Sequence, residues 1–105
     1  MDRTLKMLRK IKFFWQRLTR GFDDSETWSL DYPFFKWLLP RLKRFREVAI
    51  GYPPEITHDE WMKELDQAIA DLEIIKDDTG FGQEYDKAYA RFIKWFCKRL
   101  QHLWW

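Results

Sequence analysis

Two sets of side chains in this 105-residue chain have types and spacing that could do chemistry, and both point to binding. The first is Trp28, Asp31 and Tyr32, at the end of the connector Arg20–Tyr32, on an edge beside Arg41 and Arg44. An aromatic face, a carboxylate and two guanidinium groups could hold a base, a ribose and phosphates. The second is Arg9, Lys12, Arg17, Lys94 and Lys98, with Phe13 or Trp95 able to stack on bases, a set suited to nucleic acid. Both have plainer readings. Trp28 can plug the core between the first two helices, Asp24 or Ser25 can cap a short turn, and Asp31 can cap the second helix or pair with an arginine.

Catalytic groups are sparse. His58 falls at a helix start and His102 near a helix end, where a positive ring suits the helix dipole. Cys97 has no base beside it in sequence and reads as a half-buried, inert thiol. There is no Cys/His cluster and no HExxH pattern, and Asp77-Asp78-Thr79-Gly80 lacks the alternating carboxylates of a calcium loop. Gly80-Phe81-Gly82 is too short for a phosphate loop. Glu60 and Glu64 stand one turn apart, a common spacing on an acidic helix. The expectation is a binding protein with no catalytic residue, metal or cofactor.

Four helices must position these residues. The first runs from Arg3 to Arg20 with Gly21 as its stop. Met7, Leu8, Ile11, Phe14, Trp15 and Leu18 share one face, and Lys6, Arg9, Lys10, Arg17 and Arg20 the other, with Phe13 among the cations. The second begins between Ser29 and Pro33 and reaches Val48; Pro40 inside it removes a backbone bond and predicts a kink. Gly51-Tyr52-Pro53-Pro54 breaks the chain. Thr57 and Glu60 form a capping box for the third helix, with Ile56 and Trp61 as its staple. Trp61, Leu65, Ala68, Ile69, Leu72 and Ile75 are its buried stripe. The last helix, from Gln83 nearly to the end, lines one face with Tyr85, Tyr89, Phe92, Phe96, Leu100 and Leu103 and carries a ridge of Lys87, Arg91, Lys94 and Lys98 on the opposite one. The expected fold is all-α: one domain, residues 1–105, folded as a compact four-helix bundle.

Composition sets the boundaries. One cysteine excludes an internal disulfide, and no window is long and apolar enough to span a membrane. No signal peptide is evident. The 9 Phe, 7 Trp and 4 Tyr exceed what so small a domain hides easily, which predicts self-association through aromatic surface. Net charge is +2, but it is segregated: residues 1–20 hold seven cations, 55–86 eleven acids, and 87–105 five cations with no acid. Helices of alternating sign can attract one another when packed. The basic first helix has the make-up of a membrane-surface helix, yet packing on the rest of the bundle is the expected use of its apolar face, so no membrane partner is expected.

Trp28-Ser29-Leu30-Asp31-Tyr32, followed by Leu39-Pro40-Arg41-Leu42-Lys43, resembles a family of small proteins of tailed phages and prophages whose function is not established. The Gly-x-Pro break, the Trp61-led helix, Phe92-Ile93-Lys94-Trp95-Phe96 and Leu103-Trp104 follow the same order. Pro33-Phe34-Phe35 and the doubled terminal Trp depart from it. The resemblance implies a phage origin and the host bacterial cytoplasm, and carries no site residues. By analogy with small phage proteins, the expected role is counter-defence, sequestering a nucleotide signal or blocking a host protein as a homo-oligomer. A nucleic-acid-binding accessory protein and a structural component of the virion are the alternatives.

Overall fold

The structure, a computed structural model, describes residues 3–27, 29–77 and 82–104. These residues are all-helical, with no strand among them. The elements in order are α1 (Arg3–Arg20), a 3-10 turn (Asp24–Thr27), α2 (Asp31–Val48), α3 (His58–Asp77), α4 (Gln83–Arg99) and a closing 3-10 turn (Leu100–His102). The fold divides into two compact units, Met1–Phe34 and Phe35–Trp105.

In the first unit, α1 stops where expected. Gly21 takes φ 85°, a left-handed conformation that glycine adopts without a Cβ clash, and its N–H bonds the Arg17 carbonyl at 3.0 Å. The connector then folds back along α1 through its acids. Asp23 is buried and caps the 3-10 turn, accepting bonds from the Ser25 N–H at 2.9 Å and from the Ser25 hydroxyl, while Glu26 reaches back to the Asp23 N–H at 2.7 Å. The cap is thus Asp23, where the sequence suggested Asp24 or Ser25. Asp24 is committed elsewhere: Gln16 bonds its carboxylate and its N–H, both at 2.8 Å, and Arg20 and Lys12 pair with it. Arg17 closes on Asp23.

This unit leaves the apolar face of α1 uncovered. No residue of α1 is buried, and its stripe ranges from Ile11 and Phe14, little over half exposed, to Trp15 at 65%. Within the first unit, no core packing covers this face. Without apolar cover, an isolated helix of this length gains little stability from propensity alone.

The second unit holds the core. Phe35, Leu38, Leu39 and Leu42 of α2 meet Trp61, Leu65, Ala68, Leu72 and Ile75 of α3 and Ala88 and Phe92 of α4, every one of them buried. Phe92 anchors a run of rings, edge-on to Phe35 at 5.5 Å and stacked on Phe96 at 5.5 Å, while Trp61 stacks on Trp95 at 6.1 Å. Much of the aromatic surplus is thus absorbed internally. The chain stays helical through Pro40, which lies inside α2. The capping box forms as read: Glu60 N–H bonds Thr57 Oγ1 at 3.2 Å and Glu60 Oε1 accepts from Thr57 N–H at 3.3 Å.

Charge segregation also resolves here. The acids of α3 turn to both neighbours: Arg46 grips Asp66 and Lys43 meets Glu73 from α2, while Arg91 and Arg99 of α4 take Asp71 and Glu64. The turn expected at residues 77–82 falls largely outside the described residues.

Candidate functional site: the groove between α3 and α4

Along the seam of α3 and α4 lies a groove of about 310 Å³, lined by Glu64, Gln67, Ala68, Asp71, Arg91, Lys94, Trp95 and Lys98. Its residues arrive there by helical spacing. Glu64, Ala68 and Asp71 recur at four and three along α3, and Arg91, Lys94 and Lys98 at three and four along α4.

The acids of the groove are already satisfied. Asp71 is buried and accepts from Arg91 Nη2 at 2.8 Å and Gln67 Nε2 at 3.1 Å. Its carboxylate, through that bond first and its charge second, raises the Arg91 pKa above its ordinary value. Glu64 accepts from Trp95 Nε1 at 2.9 Å and from Arg99 Nε at 2.9 Å and Nη2 at 3.0 Å. Arg99 is 1% exposed, and its remaining nitrogen reaches Glu55. The bond to Glu64, ahead of the opposing effect of burial, holds the Arg99 guanidinium firmly charged. Its face also lies 5.9 Å from the Trp61 ring centre. This network fixes the indole of Trp95 at the groove wall.

Lys94 and Lys98 are different. Both are exposed and neither makes an ion pair among the described residues. With Arg91 they give the lining three cations against two carboxylates, each of which is already hydrogen-bonded. The groove therefore offers two exposed ammonium groups, an anchored indole edge and an apolar floor at Ala68. That combination can hold an anionic ligand with a flat ring.

The residues singled out from sequence are distributed as follows. Trp28 lies outside the described residues. Asp31 and Tyr32 open α2 in the first unit, where Asp31 Oδ1 accepts from the Tyr32 N–H at 2.8 Å and from the Ser29 hydroxyl. Arg41 and Arg44 belong to the second unit: Arg41 stacks over the Trp37 ring at 4.3 Å and bonds its carbonyl, and Arg44 pairs with Glu47 at 2.9 Å. Neither unit by itself assembles this set. Of the nucleic-acid set, Arg9 and Lys12 line a second groove in the first unit with Phe13, Asp24 and Ser25, which accounts for the ring amid α1's basic face. Arg17 is taken by Asp23. Lys94 and Lys98 are the members that meet in the α3–α4 groove.

Three features differ from or escape the sequence reading. Cys97 is exposed, not half-buried. Asp71, which the helical spacing sets off the buried stripe of α3, is buried, and so is Arg99, which that spacing did not single out. The signal for Arg99 was present: it follows Phe92 by seven and Trp95 by four, placing it on the apolar stripe, where a cation needs a partner. Among the described residues no group of acids, histidines or cysteines is arranged to hold a metal.

Comparison with protein-family models, curated proteins and solved structures finds no match to this chain.

Proposed function

We propose that the protein acts by binding and that the α3–α4 groove takes a nucleotide, an anion carrying a flat aromatic ring. The observation that carries this reading is the pair of unpaired cations, Lys94 and Lys98, beside the fixed indole of Trp95 in a groove large enough for one such molecule. Lys94 and Lys98 would meet phosphate oxygens, and the exposed part of Trp95 would cover the base. Arg91, held by Asp71, would turn any remaining N–H outward.

The resemblance to small phage proteins adds a setting: the host bacterial cytoplasm, with the nucleotide as a defence signal removed by stoichiometric capture or, failing that, a host protein as target. Exposed rings at Trp37, Tyr52 and Trp104 would supply the seam of a homo-oligomer. A second reading, nucleic-acid binding, draws on the basic groove of the first unit at Arg9, Lys12 and Phe13. Salt separates the two, since polyanion affinity falls steeply with ionic strength through counterion release.

Calorimetric titration with a panel of linear and cyclic nucleotides tests the proposal. The native chain should bind at least one of them, and Lys94→Glu with Lys98→Glu should weaken it by roughly tenfold or more, since a charge-assisted bond is worth over 1 kcal/mol. Binding that ignores both reversals would remove the groove from consideration.

A further inference from the structure

Helix α1 carries a surface that the groove reading does not use. About 120° of its circumference is apolar, formed by Met7, Leu8, Ile11, Phe14, Trp15 and Leu18. All six are more than half exposed, from Leu8 and Phe14 at 56% to Trp15 at 65%. The rest of the helix is basic and contains no acid at all. Its cations divide in two. Lys12, Arg17 and Arg20 are tied to the acids of the connector. Arg3, Lys6, Arg9 and Lys10, in the N-terminal half, make no ion pair among the described residues, and Arg3 and Lys10 flank the apolar stripe.

We infer that α1 docks on an anionic lipid surface, lying flat with its stripe in the headgroup boundary and its free cations on lipid phosphates and carboxylates. This runs against the expectation that no membrane is a partner, and it stands apart from the nucleotide reading. Charge decides between occupants. A second copy seated stripe to stripe would cover the apolar side chains but leave the free cations of both helices without partners. A nucleic acid would use the cations and leave six apolar side chains in water. An anionic bilayer satisfies both faces at once: buried apolar area supplies one part of the affinity and opposite charge the other. Phe14 and Trp15 are the ring types that settle at a lipid–water boundary. The helix rests on the surface and does not cross it, because no helix among the described residues is long and apolar enough to span a membrane.

Flotation of the full chain with phosphatidylcholine vesicles, with and without phosphatidylserine, provides the test. The chain should float with phosphatidylserine vesicles, be released by high salt, and bind poorly to phosphatidylcholine alone. Ile11→Glu with Leu18→Glu should abolish flotation while leaving the thermal unfolding of the chain unchanged, since neither side chain is buried. Lys6→Gln with Arg9→Gln should weaken it on anionic vesicles only. Absence of flotation with phosphatidylserine would overturn the inference. So would flotation that survives the two glutamates, which would show bare charge attraction. Strong hydrogen-exchange protection of α1 without lipid, at monomer or dimer mass, would also overturn it by showing the stripe already covered by the chain or by a second copy.

Discussion

Arg99 shows how single residues carry this fold. It is an ion on an apolar stripe, and it is tolerated because Glu64 meets it with two bonds and Glu55 with a third. Removing one partner leaves a buried charge short of compensation, which costs more than the pair itself contributes. Glu64→Gln should therefore lower the stability of the chain by about 2–3 kcal/mol in urea unfolding. Glu64→Ala, which leaves no acceptor at all, should also free the Trp95 indole N–H and change its fluorescence. The same residue scale explains what sequence could and could not reveal. The Thr57–Glu60 box is local, and both of its bonds form as read. The cap falls on Asp23 and not on Asp24 or Ser25 because three polar residues in a row compete for one role. Only the approach of Gln16, Arg17 and Arg20 decides which acid caps and which pairs.

Among the elements, periodicity located all four helices and their apolar faces, because spacing of three and four is a property of the chain itself. It could not say which faces are covered. The stripes of α3 and α4 look no more apolar in sequence than that of α1, yet Phe92 is fully buried and Ile11 is 57% exposed. Burial depends on partners far along the chain: Phe92 meets the ring of Phe35 on α2 and shares its core with Trp61 and Leu65 of α3. Phe92→Ala should consequently cost about 3–5 kcal/mol, read as a large fall in Tm, whereas Ile11→Ala should stay within about 0.5 kcal/mol. The groove was half legible for a similar reason. Lys94 and Lys98 stood out as a ridge, but Glu64 and Asp71 had to be brought opposite them before the ridge became the rim of a cavity.

At the scale of the whole molecule, the acidic α3 is the hub of charge. Its carboxylates, and Glu55 ahead of it, bind cations from α2 and α4. Glu73 is held below its ordinary pKa of 4.5, first by its bond to Lys43, and Glu55 likewise, first by its bond to Arg99. A carboxyl with a depressed folded pKa favours the folded state fully above its unfolded value. That contribution fades as pH falls through the depressed one. Stability should thus be level from neutral pH down to about 4.5 and then decline, and urea midpoints across that range should show the break. High salt should soften it where the pairs are exposed.

The α3–α4 groove as a nucleotide site is tested most directly by an amide NMR titration with the nucleotide panel. Shifts should cluster at Glu64, Ala68, Asp71, Arg91, Lys94 and Lys98, together with the Trp95 indole. Shifts confined to residues 29–44 or to α1, or a spectrum that no nucleotide perturbs, would contradict it.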